Sequence, residues 1–166
     1  MTYSEYKRVY AERRVEFTRR RIAEDGHEII DKPTFNKITR KFVKNGGIII
    51  RGEEAERHLK SVGAYASYIP GANAAFIRDD ATISDVLEEM YHAQQDRVKK
   101  FGELIGEITI IKREIDAQKY LLKVAKKYKI PEAETEVTKR NLKYYELKLA
   151  GILGEENERK CIQSGR

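Results

Sequence analysis

Phe76-Ile77-Arg78-Asp79-Asp80-Ala81-Thr82-Ile83-Ser84-Asp85-Val86-Leu87-Glu88-Glu89-Met90-Tyr91-His92 decides how the rest of this chain is read. A short apolar run feeds a polar turn, and the turn feeds a helix. Thr82 stands at the N-cap position with Asp85 three residues on, a Thr-x-x-Asp variant of the capping box. Val86, Leu87, Met90 and Ala93 offer a buried stripe. Glu88 and His92 are four apart, so they leave one helix face about one turn from each other. Glu89 is rotated roughly 100° away from Glu88. The helix is expected to run to about Lys100, with Gly102 or Gly106 to break it.

Upstream, Ala74–Ile77 reads as a strand. Pro70-Gly71-Ala72-Asn73 is a turn. Residues 64–69 alternate weakly around Tyr65 and Tyr68, so residues 64–78 read as a hairpin. Ile48-Ile49-Ile50, a continuous apolar run, is a candidate buried strand beside it. Residues 53–62 form a short charged helix closed by Gly63. Residues 34–44 carry Phe35, Ile38 and Phe42 at helical spacing and stop at Asn45-Gly46-Gly47. Downstream, residues 107–128 carry Ile108, Ile111, Ile115, Leu122 and Ala125 on one face. Ile130-Pro131 starts another helix, with Val137, Leu142, Tyr145, Leu149 and Ile152 as its apolar side. The expected class is α+β and mostly helical, with about three strands before the central helix and a C-terminal helical hairpin. The expected organisation is a basic helical extension over 1–47, an α+β domain over 48–153 and a frayed polar tail over 154–166.

The chain has 166 residues, 40% hydrophobic and 36% charged, with a net charge of +6. That composition suits one domain with a small core and long solvated helices. Residues 1–47 hold 12 Lys/Arg against 7 Asp/Glu, and the rest holds 21 against 20, so the excess sits at the N-terminal end. Residues 3–23 read as a charged helix whose Arg13, Arg14, Arg19, Arg20 and Arg21 suggest contact with nucleic acid or another polyanion. The interleaved Glu12 and Glu16 favour a solvated face instead, and no aromatic single-strand motif accompanies the arginines. His27 and His58 stand alone in sequence and read as surface or capping residues. A lone Cys161 excludes an internal disulfide and a multi-cysteine zinc site. No apolar run is long enough to span a bilayer, and the N-terminus lacks a signal-peptide core. The expected location is cytoplasmic, unless a phage or secretion system delivers the protein.

Metal-assisted hydrolysis needs three protein ligands, an open position for water and a base. Glu88 and His92 supply two ligands and Glu89 the base. Arg113-Glu114-Ile115-Asp116-Ala117-Gln118, on the next long helix, offers Glu114 as the third. Asp116 is the competing carboxylate, and Gln118, one turn on, can orient Glu114 as a supporting residue. Two carboxylates and one imidazole favour a harder ion, manganese or magnesium, over zinc. A Glu-Glu-x-x-His string arises readily by chance in so charged a chain; the strand and cap before it set this one apart. Glu89 and His92 also have the Glu-x-x-His spacing of di-iron bundles, but no second copy follows.

From Ile48 to about Glu146 the chain resembles zincin-like metallopeptidase domains of the bacterial and phage polymorphic-toxin type. Three stretches carry the resemblance. They are Ile49-Ile50-Arg51-Gly52 with the short helix and Gly63-Ala64 after it, Val86-Leu87-Glu88-Glu89-Met90-Tyr91-His92-Ala93-Gln94-Gln95, and the Arg113–Gln118 stretch with its Lys/Tyr-rich hairpin. In the usual HExxH motif two histidines bind zinc and the Glu is general base; here Glu88 stands at the first histidine. The resemblance implies a sheet-plus-helices domain, Glu89 as catalytic carboxylate, His92 as ligand, zinc as the ion and a peptide or protein substrate. It also implies a phage structural protein or an immunity protein as partner. Two other functions stay open on the residues: a non-catalytic phage or prophage structural module, and a basic nucleic-acid-binding protein.

Overall fold

A computed structural model describes residues 27–102 and 106–164, with side chains described through residue 155. The expected helix over 3–23, with Arg13, Arg14, Arg19, Arg20 and Arg21, lies outside the described residues. The described elements are α1 (Lys32–Lys44), β1 (Ile48–Ile50), α2 (Glu53–Ser61), β2 (Ala66–Ile69), β3 (Ala74–Ile77), α3 (Ile83–Arg97), α4 (Glu107–Tyr128) and α5 (Glu132–Ser164). This is the expected mostly helical α+β class, with a three-stranded sheet before the central helix and a helical hairpin after it.

Helix α3 is the axis of the fold, and its start is fixed twice. The Thr82 hydroxyl accepts from the Asp85 N–H at 3.2 Å while Asp85 Oδ2 accepts from the Thr82 N–H at 2.8 Å, completing the capping box. Glu134, in the first turn of α5, accepts from the Ser84 N–H at 3.1 Å and from the Ser84 hydroxyl. A carboxylate there satisfies an orphan donor and meets the positive end of the helix dipole. Val86, Leu87 and Ala93 then pack with Phe35, Ile38 and Phe42 of α1, Tyr68 of β2 and Leu121 of α4. Helix α1, which the sequence reading assigned to the N-terminal extension, thus shares one core with the helix that carries the candidate site. Asp31 caps it by accepting from the Thr34 N–H at 2.8 Å. Gly47 lets the chain turn closely over α1: a Cβ there would lie 2.5 Å from the Phe42 ring.

The strand order is β1-β3-β2, with β1 parallel and β2 antiparallel to β3. The 64–78 hairpin is present, but β1 is not the buried strand its three isoleucines suggest. It lies at the sheet edge, so Ile48 is exposed and Ile49 and Ile50 are only half-buried. Beneath that side, Ala55 and Leu59 of α2 form a second small cluster with Ala64, Ile50 and Phe76.

Three further expectations are corrected. Helix α3 stops at Arg97 rather than Lys100. The buried face of α4 is Ile110, Ile111, Ala117 and Leu121 together with Arg113, Glu114 and Gln118, whereas Ile108, Ile115 and Leu122 are half-buried. An apolar-only stripe misplaces this face because part of what α4 turns toward α3 is polar. Helix α5 continues to Ser164 through the stretch expected to fray. That stretch holds no proline and is rich in Glu, Lys and Arg, good helix formers that carry the helix past Gly151 and Gly154. Among the described residues no helix is long and apolar enough to cross a membrane.

Candidate metal centre

The i, i+4 spacing on α3 turns Glu88 and His92 toward α4. Residues 92 and 96 meet Arg113, while residues 91 and 95 meet Asp116, so this stretch of α4 lies against α3 on both sides of residue 114. That alignment brings Glu114 up to the same point. His92 Nε2 lies 3.5 Å from Glu114 Oε2 and 3.9 Å from Glu88 Oε1. One ligand atom from each of the three residues falls within 4.8 Å of the others. Donors bound at about 2.0–2.2 Å to a tetrahedral ion sit roughly 3.3–3.6 Å apart. The group is therefore close to ligating distance, and its donor set of one imidazole and two carboxylates suits a divalent cation. All three residues are buried, His92 at 0% exposure, Glu114 at 3% and Glu88 at 8%.

The other side of the imidazole is also held. His92 Nδ1 lies 2.8 Å from Gln95 Oε1 and 3.0 Å from Arg113 Nε. Gln95 Nε2 donates to the Arg113 carbonyl at 3.1 Å and to Asp116 Oδ2 at 2.8 Å. Asp116 accepts from Lys100 at 2.8 Å and from the Tyr91 hydroxyl at 2.9 Å. Arg113 also donates to the His92 carbonyl at 3.2 Å and pairs with Asp96. With Nδ1 turned to Gln95 and Arg113, Nε2 is the nitrogen that faces the carboxylates.

Burial pushes the His92 pKa down, but the charges of Glu114 and Glu89 and a hydrogen bond to Glu114 outweigh burial and the nearby Arg113, so the net shift is upward. For Asp116, burial acts upward, and hydrogen bonds from Lys100, Gln95 and Tyr91 overcome it and lower the pKa.

Glu89 leaves α3 in a different direction. Its Oε2 accepts from the Tyr68 N–H at 2.6 Å, and the residue is fully buried. Tyr68 sits on the edge strand β2. The Tyr65 carbonyl accepts from Arg78 on the β3 side, so by alternation the Tyr68 N–H points away from β3, where Glu89 meets it. Glu89 still acts electrostatically on His92.

The sequence-predicted residues therefore separate as follows. Glu88, His92 and Glu114 come together, and Glu89 lies beside them against the sheet edge. Asp116 reaches His92 through Gln95. Gln118 is buried on the same face as Glu114, and its Oε1 meets no hydrogen-bond donor among the described residues. Sequence reasoning missed Gln95, Arg113, Asp96 and Lys100. A signal existed for two of them: Gln95 is three residues beyond His92, on its face, and Arg113 directly precedes Glu114.

A groove of about 580 Å³ opens elsewhere, lined by Met90, Tyr91, Tyr120, Lys127 and residues of α1; none of the three candidate ligands lines it. No protein-family model, no curated protein and no solved structure matches the chain.

Proposed function

We propose that this chain is a metal-dependent hydrolase, a zincin-like peptidase of toxin or phage type, that holds a divalent ion on Glu88, His92 and Glu114. The observation that carries the reading is the convergence of one imidazole nitrogen and two carboxylates from two helices at near-ligating distance. Two carboxylates and a neutral imidazole balance the charge of a divalent ion. Zinc follows from the resemblance, and the oxygen-rich donor set also suits manganese or magnesium. When bound, the ion supplies Lewis acidity and acidifies water at the site.

Glu89 is assigned as the general base. The Tyr68 N–H fixes one carboxylate oxygen, and the other, Oε1, takes the proton. Peptide or protein substrates, and an immunity or phage structural partner, follow from the resemblance alone.

The test is elemental analysis of protein purified without chelator, together with hydrolysis of a peptide panel. Glu89→Gln should keep the metal and lose activity by about 10²–10⁴-fold, and His92→Ala should lose both. Unchanged turnover in Glu89→Gln would sink the assignment of the base. One observation favours a second reading, a non-catalytic interaction module: the Glu89 bond to a strand-edge N–H serves architecture as well as chemistry. On that reading both variants keep every assembly contact and the parent shows no turnover.

A further inference from the structure

Gln95 was not among the residues the sequence singled out, yet it makes the closest polar contact to the imidazole. Its orientation is forced. The two groups around its Nε2, the Arg113 carbonyl and the Asp116 carboxylate, are both acceptors. The amide nitrogen must face them, and Oε1 must face the ring. Asp116 is itself held as an acceptor by Lys100 and Tyr91. A relay of fixed donors and acceptors thus runs from Lys100 and Tyr91 through Asp116 and Gln95 to Nδ1.

Nδ1 has two competing neighbours. With a proton it donates to Gln95 Oε1 at 2.8 Å; without one it accepts from Arg113 Nε at 3.0 Å. The bonds to Asp96 and to the His92 carbonyl come from the terminal nitrogens of Arg113, so its Nε–H is the competitor at Nδ1; Gln95 Oε1 is the nearer of the two, and the acceptors around Nε2 keep the Gln95 amide from turning away. We infer that Gln95 is a positioning residue that keeps a proton on His92 Nδ1, so that Nε2 is the nitrogen offered toward Glu88 and Glu114. The inference rests on the metal-site reading only for what Nε2 then binds. Histidines that ligate metals usually donate their other ring N–H to such a partner, and loss of that partner costs about 10–100-fold in metal affinity.

The chain has 3 histidines, so histidine-specific ¹⁵N labelling of the full chain gives a spectrum that His92→Ala assigns at once. In the metal-free parent, Nδ1 of His92 should carry a directly bonded proton, and added zinc should move the Nε2 signal and leave that proton in place. Gln95→Leu should lose the fixed Nδ1 proton and bind zinc about 10–100-fold more weakly. The double variant Gln95→Glu with Asp116→Asn reverses donor and acceptor between these two positions at constant charge, leaves only the Arg113 carbonyl without its donor, and should recover part of both signals. If Gln95→Leu does not fold, Asp116→Asn alone, which lets the Gln95 amide rotate, should show a smaller change in the same direction. A parent Nδ1 without a proton, or single variants with parental spectrum and zinc affinity, would overturn the inference. A parent that shows the Nδ1 proton but takes up no zinc would refute the metal-site reading and leave the role of Gln95 standing.

Discussion

Replacing Glu89 separates its architectural task from its chemical one. Its carboxylate accepts from the Tyr68 N–H at 2.6 Å in a fully buried position. Glu89→Ala leaves that strand-edge donor without its partner, at a cost of about 1–3 kcal/mol. The upper part of the range applies because a charged acceptor makes a bond roughly twice as strong as a neutral one. Glu89→Gln keeps an acceptor oxygen at the same place, so the loss should be about 1 kcal/mol. In a chain of this size each kcal/mol moves Tm by about 2–4 °C. Urea unfolding followed by far-ultraviolet circular dichroism measures the difference, and an unchanged m-value would keep the comparison two-state. An alanine variant within about 0.5 kcal/mol of the parent, the range of ordinary surface substitutions, would refute the reasoning. So would a glutamine variant as unstable as the alanine one.

Other parts of the fold carry outcomes of their own. Thr82→Ala removes the acceptor for the Asp85 N–H and one half of the capping box, and should cost about 1 kcal/mol in the same unfolding assay. Leu121→Ala opens a cavity where α4 meets the core, at a residue 1% exposed, and should cost about 2–5 kcal/mol. For Asp116, burial is outweighed by hydrogen bonds from Lys100, Gln95 and Tyr91, so its folded pKa lies below the ordinary 3.8. The folded state then binds fewer protons than the unfolded one. The stabilisation is present above about pH 4 and is lost as pH falls through the folded value. Asp116→Asn should lower stability above that pH and flatten the acid limb of the stability–pH curve; an acid limb identical to the parent's would count against the Lys100–Asp116 pairing.

How much was legible depended on whether one helix alone held the information. Thr82 and Asp85 sit within one turn, so their capping box was readable as spacing. Glu88 and His92 shared a face for the same reason. Glu114 was readable only as a carboxylate on the following helix; its arrival beside His92 depends on how α3 and α4 align, which local periodicity does not encode. Arg113 escapes a search for apolar stripes, which skips polar residues, and here the buried face of α4 is polar where it meets the site. Ile48–Ile50 misled in the opposite sense. Three isoleucines fit a central strand, but the strand order places them at an edge. Glu134 illustrates the longest reach: nothing near it in sequence signals that it closes the N-terminus of a helix 50 residues earlier.

The central claim concerns a single ion, and metal uptake tests it most directly. Protein freed of metal would be titrated with zinc, manganese and magnesium, with bound metal read by elemental analysis and stability by thermal unfolding. The parent should take up a single divalent ion per chain, and at free ion about 100 times Kd it should gain about 2.7 kcal/mol. His92→Ala and Glu114→Ala should take up none and gain nothing. A parent that binds no ion, or variants that bind it as the parent does, would contradict the account.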